Sequence, residues 1–145
     1  MNATTTTTTP TPTTDRAAAN AGLAARLYGA LDAGDLDTIL AALDPDVVLH
    51  VPGTQPLAGE HRGREAVLGF VQASSARAGG TEEIDVLDVL GGERHAAVYC
   101  HVTATREGRE PLLNDTLHLL EIVDGRVTRI WFHNRDAAAV DAFWR

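Results

Sequence analysis

Among twenty carboxylates and six histidines, three side chains are the candidates for moving a proton at neutral pH. Asp115 stands near the start of the run 112–123. A carboxylate held there in an apolar cavity has a raised pKa and can act as general base toward a proton next to a carbonyl. Facing water at a strand start, it is simply solvated. His118 follows three residues later, and His61 lies on the loop before a helix, where its ring can swing over a pocket mouth. Either imidazole suits the part of proton donor, so Asp115, His118 and His61 are the candidate catalytic residues. His50, His101, His118 and His133 fall on four different predicted strands. Grouped on one face, such rings can bind a metal or titrate at a pH-sensitive interface. No tight spacing such as His-Glu-x-x-His is present, and no metal site is expected. A one-residue bulge would turn some of these rings to the other face.

Other chemistries are excluded more firmly. All twelve cationic side chains are Arg, so lysine Schiff bases and the lysine of a phosphate-gripping loop are absent. The formal net charge of −8 and the scatter of those arginines argue against nucleic acid. Cys100, the one cysteine, rules out an intrachain disulfide and lies in an apolar alternation that predicts a buried, inert thiol. Ser74 and Ser75 fall within a helix, without the Gly-x-Ser-x-Gly elbow of a serine hydrolase. No glycine-rich loop follows a strand, and no cofactor is expected. The chain starts MNATTTTTTPTPTT, unlike a secretory signal, and no apolar run reaches membrane-spanning length; a cytoplasmic protein with no membrane partner is expected.

These groups must be positioned by a single domain over residues 16–145, preceded by a Thr/Pro tail, 1–15, that buries too little to order itself. Leu23, Leu27, Ala30 and Leu31 recur at helical spacing up to Gly34, which suits a left-handed stop. Asp35 caps a second predicted helix, 36–43, ending ahead of Asp44-Pro45. A short strand, 47–51, is cut off at Pro52-Gly53, and after a loop a third helix, 64–78, carries Val67, Leu68, Phe70 and Val71. Beyond Gly79-Gly80 the period changes to two. The runs 84–90, 95–105, 112–123 and 127–133 are separated by Gly91-Gly92, Glu107-Gly108 and Asp124-Gly125, which predicts an antiparallel meander. A closing segment, 136–144, carries Val140, Phe143 and Trp144. Helices first and a meander afterwards give an α+β fold with helices on one side of the sheet.

The stretches LYGALDAGDLDTILAALDPDVVLHVPG, PLAGEHRGREAVLGF and LHLLEIVDGRVTRIWFH, in that order, resemble the nuclear transport factor 2-like (NTF2-like) superfamily, with its SnoaL-like polyketide cyclases and ketosteroid isomerases. The resemblance implies a cone, about three N-terminal helices packed on a strongly curved antiparallel sheet. It does not choose among cyclases, isomerases, epoxide hydrolases and binding proteins. In an ungapped register the isomerase's proton-moving positions match Leu27, Val51 and Leu117, none of which can move a proton. Tyr28 is one residue beyond the first, a helix rotation of about 100°. The Arg-Asp-Asp set of the epoxide hydrolases has no counterpart.

The same register places Asp115, Leu117 and Leu119 toward the pocket. By parity with Leu117 and Cys100, His50, His101, His118 and His133 then lie on the outer face. Val51, Phe70, Cys100, Val102, Leu117 and Phe132 are expected to line the substrate space. Tyr28 and Asn134 would present polar groups at its wall, and Trp144 an apolar surface for a flat ligand. The reading is a protein that binds an apolar, polycyclic or terpenoid-like molecule and performs cofactor-independent cyclisation or isomerisation, with Asp115 as base. A non-catalytic binding or dimeric scaffold domain is the alternative. Val127, Trp131, Leu120 and Ile122, taken to face outward, predict a homodimer.

Overall fold

A computed structural model describes residues 12–145. The Thr/Pro tract over 1–11 lies outside the described residues. Helix α1 spans Pro12–Ala33 and therefore begins before the end of the expected tail. It is followed by α2 (Leu36–Ala42), β1 (Leu43–Val51), β2 (Gly59–Arg62), α3 (Arg64–Arg77), β3 (Glu83–Gly91), β4 (His95–Ala104), β5 (Leu112–Val123), β6 (Arg126–Asn134) and α4 (Ala137–Trp144). The strands form one sheet in the order β2-β1-β6-β5-β4-β3, antiparallel except where β1 runs parallel to β6. The meander is as its glycine turns predict. The short strand β2, read from sequence as loop, hydrogen-bonds along β1 and extends the sheet beyond it.

Local chemistry explains the boundaries. Gly34 takes φ +68°, the left-handed turn that ends α1, and the Asp35 carboxylate then accepts from the Thr38 backbone N–H at 3.2 Å to start α2. Asp44-Pro45 breaks the pairing of β1 with β6, whose register shifts between Leu43 and Val48. The guanidinium of Arg64, at the first position of α3, donates to the freed Leu43 carbonyl at 3.0 and 2.7 Å and so pins α3 across β1. Further irregularities between Val86 and Asp88 and between Glu121 and Ile122 bend the sheet around the helices.

The core lies between this concave face and the helices. Leu43, Val47, Val98, Cys100, Leu120 and Val127 are its most completely buried members. Helix α4 closes the open end. Its Asp141 carboxylate accepts from the Thr54 N–H at 3.1 Å, and Arg77 donates to the Trp144 carbonyl at 2.8 Å. Arg106 and Arg109 reach the carbonyls of Phe143 and Ala142, placing cations at the negative end of the helix.

Candidate functional site

Strand pairing settles which residues look inward. Cys100 is opposite Thr116 and Val98 is opposite His118, and directly paired residues share a face. Ala96, Val98, Cys100, Val102 and Ala104 are all buried, so the inward set of β5 is Leu112, Asn114, Thr116, His118, Leu120 and Ile122. Cys100 points inward as expected, but Leu117 does not. It pairs with Tyr99 and His133 on the outer face, and the expected parity of β5 is corrected by one residue. Both faces of β5 carry leucines, so alternation alone could not tell them apart.

Three of the four strand histidines, His50, His101 and His133, lie on the outer face, as the parity argument held. His118 is the exception and faces inward without any bulge at its position. Asp115, expected toward the pocket, is also outside. Its Oδ1 accepts from His101 Nδ1 at 2.7 Å and its Oδ2 from Arg135 at 3.0 Å, half-exposed beside Tyr99. His50 stacks on Trp131 with ring centroids 5.5 Å apart. Among the described residues no group of three His, Cys, Asp or Glu side chains is placed to hold a metal. Because the His101–Asp115–Arg135 cluster is outside the cavity and partly solvated, Asp115→Asn should leave cavity binding within about twofold of wild type. Stability should change by no more than about 1 kcal/mol. Isothermal titration and urea unfolding would check both, and lost binding would return Asp115 to the site.

Beneath α1 and α3 is a cavity of about 1030 Å³. Its walls are largely apolar, and Val51, Phe70, Val102, Phe132 and Trp144 are among the residues that line it. Tyr28 and Asn134 line it too; Cys100, fully buried, sits behind the wall with burial pushing its thiol up to about 11. His61 does not reach the lining. Its Nε2 donates to the Leu57 carbonyl at 2.9 Å and its ring leans on Phe70, so it braces the wall from behind.

Among the described residues, Tyr28 and His118 form a hydrogen-bonded ionisable pair in this wall, their Oη and Nδ1 2.5 Å apart. His118 is 5% exposed and stacks on Phe132, centroids 3.8 Å apart. Burial, reinforced by the neighbouring His133, pushes its pKa down to about 3, so the ring is neutral. Burial, and to a lesser degree Cys100, raises the Tyr28 phenol well above the ordinary tyrosine range. A phenol that keeps its proton donates it to Nδ1, which leaves the hydrogen of the neutral imidazole on Nε2. That N–H has no partner among the described residues, and His118 lines the cavity.

A second polar group is built from Asn134, whose Oδ1 accepts from Asn114 Nδ2 at 3.0 Å and Thr116 Oγ1 at 2.9 Å. Two donors on the oxygen turn the amide so that its NH₂ is left over as a further donor. Sequence reasoning missed Asn114, Gln55, Glu82 and Ser74, all of which line the cavity. Glu82 was within reach, since it shares parity with Ile84 and Val86, whose partners Val102 and Cys100 face inward.

A cavity walled by a curved sheet and four helices, with a few polar groups at its depth, is the architecture of the NTF2-like fold, and residues 24–130 match the SnoaL-like domain family. The chain belongs to that family. It is 33% identical over 124 residues to the uncharacterized protein Rv0034 of Mycobacterium tuberculosis, covering 84% of this chain and 93% of that protein. Among solved structures it is similar to Bal32a, from a soil-derived mobile gene cassette, with TM-score 0.85 and 32% identity over 90% of this chain and 99% of that one. TerC, crystallised with polyporic acid, has a similar fold, with TM-score 0.74 and 20% identity over 86% of this chain and 97% of that one. No described helix is long and apolar enough to cross a membrane.

Proposed function

We propose that this SnoaL-like protein binds an apolar carbonyl compound in its cavity and acts on it by cofactor-independent enolisation, the step shared by cyclisation and isomerisation next to a carbonyl. The observation that carries the reading is the Tyr28–His118 pair, buried at 2.5 Å in a largely apolar wall. A neutral imidazole backed by a phenol offers Nε2–H to a carbonyl oxygen. As negative charge develops there on the way to an enolate, a preorganised donor in a dry site stabilises it more than water would. His118 is the donor to the oxygen, and the α-proton passes to water at the cavity mouth and so to solvent, since Nδ1 already accepts from the phenol and Asp115 lies outside. A second reading, a binding domain without turnover, is supported by the lack, among the described residues, of a carboxylate hydrogen-bonded to either ring.

The probe that separates the two is 1-acetylpyrene, a flat apolar ketone. In D₂O an enolising enzyme exchanges its acetyl protons for deuterium, read by mass spectrometry. Binding without exchange supports the second reading, and no binding sinks both.

The outer face of the sheet bears on partners. Val127, Leu120 and Ile122, expected outside, are buried inside, so they supply no interface. Trp131 does face outward, joined by the half-exposed Leu117 and Leu119 and by Leu113, 72% exposed. This apolar band supports the homodimer reading. Light scattering should give twice the chain mass at micromolar concentration, and Trp131→Arg should give folded monomers. A wild-type monomer would refute it.

A further inference from the structure

The cavity's charges are one-sided. None of the twelve arginines lines it, and the chain has no lysine. Glu82, Glu83, Asp85 and Asp32 do line it, and of these only Glu82 is withdrawn from full exposure. Asp32 is exposed at the end of α1. Glu82 is partly buried and has no cationic partner among the described residues; its Oε1 accepts only from Ser74 Oγ, at 3.2 Å, and Ser74 also lies against the Val71 carbonyl at 3.0 Å. Desolvation holds its pKa above the usual glutamate range, with the Ser74 hydrogen bond pulling the other way. A carboxylate taken out of water without a counter-ion is costly, and its cost falls when a cation arrives.

Glu82 stands at the opposite end of the cavity from His118. It lies one residue before Glu83, which pairs with Thr103, whereas His118 pairs with Val98. At about 3.3 Å per residue, this puts the two groups five or six strand rows, roughly 15–20 Å, apart along the curved sheet. The deep end holds an imidazole N–H in a ring only 5% exposed, with no partner among the described residues; that unfilled donor marks the cavity as a ligand site independently of the carboxylates.

We propose that the ligand of this cavity is an elongated apolar molecule bearing a protonated amine, with Glu82 as its counter-ion at the outer end, and that the same carboxylate turns away anionic ligands. The proposal rests on the cavity being the binding site and adds the chemical class it selects. An ammonium placed against Glu82 gains a charge-assisted hydrogen bond, while a ligand carboxylate meets like charge with no cation nearby to offset it.

The test uses three matched fluorescent probes, 1-pyrenebutylamine, 1-pyrenebutanol and 1-pyrenebutyric acid, titrated into wild type and Glu82→Gln by anisotropy at pH 7. Glutamine keeps an oxygen for Ser74 and removes only the charge. Wild type should bind the amine about tenfold tighter than the alcohol and the acid about tenfold weaker. Glu82→Gln should bring all three within about threefold of one another. Wild-type binding of the alcohol with no preference for the amine, or a preference that survives Glu82→Gln, overturns the counter-ion assignment and leaves the binding cavity standing. If none of the three binds, the binding cavity falls as well.

Discussion

Acidification from pH 7 to pH 4 should cost the wild-type protein on the order of 3 kcal/mol more stability than it costs His118→Phe. In the unfolded chain the imidazole has a pKa near the ordinary ~6.5, whereas burial holds it at about 3 in the folded protein. Between those values the unfolded state binds the extra proton and the folded state does not. Stability from this group is therefore complete above roughly pH 6.5 and is lost progressively as pH falls toward about 3. At 1.36 kcal/mol per unit, the interval from ~6.5 down to pH 4 gives the figure stated. Phenylalanine fills the ring's space against Phe132 but cannot protonate, so its unfolding should lack this component. Urea titrations followed by tryptophan fluorescence at pH 7, 5.5 and 4 would measure it. Parallel losses in the two proteins would mean that His118 is not held neutral inside the fold.

The second large effect concerns rate. His118→Leu should lower the protein-catalysed exchange of the acetyl protons of 1-acetylpyrene by about a hundredfold or more, the usual consequence of removing a preorganised donor from a developing oxyanion. Affinity for the ketone should fall much less, because the leucine keeps the wall apolar. Tyr28→Phe should have a smaller effect in the same direction, since it leaves Nε2 in place but frees the tautomer that the phenol sets. Measured together, the two single variants and the double variant should be strongly non-additive. Exchange in His118→Leu at the wild-type rate would remove this ring from the chemistry.

Much of the architecture was readable before any coordinates. Gly34 and Asp35 marked the corner between the first two helices, Asp44-Pro45 marked the end of the second, and Gly91-Gly92, Glu107-Gly108 and Asp124-Gly125 marked the hairpins of the meander. Each is a local event, set by backbone conformations that few other residues tolerate. What failed was also local in origin. Gly59–Arg62 carries no alternating apolar pattern, since its pairing along β1 comes from backbone hydrogen bonds rather than side chains. The facing of Asp115 is not legible in the sequence, because an ungapped register with the isomerases does not set the parity of β5. Leu113, Leu117 and Leu119 outside mimic Leu112, Leu120 and Ile122 inside.

Composition and order of residues thus determined, by themselves, all the elements but β2, their turns, and which side chains on each strand share a face. Only the folded sheet decided which of those faces is the interior. Pairing between β4 and β5 carried the answer across from the unambiguous alternation of Val98, Cys100 and Val102 to His118, and packing of α1 brought Tyr28 onto it from 90 residues away. A period of two says that neighbours point apart. It is blind to inside and outside when leucine stands on both, and the free energy that separates them belongs to contacts between elements, which no single strand contains.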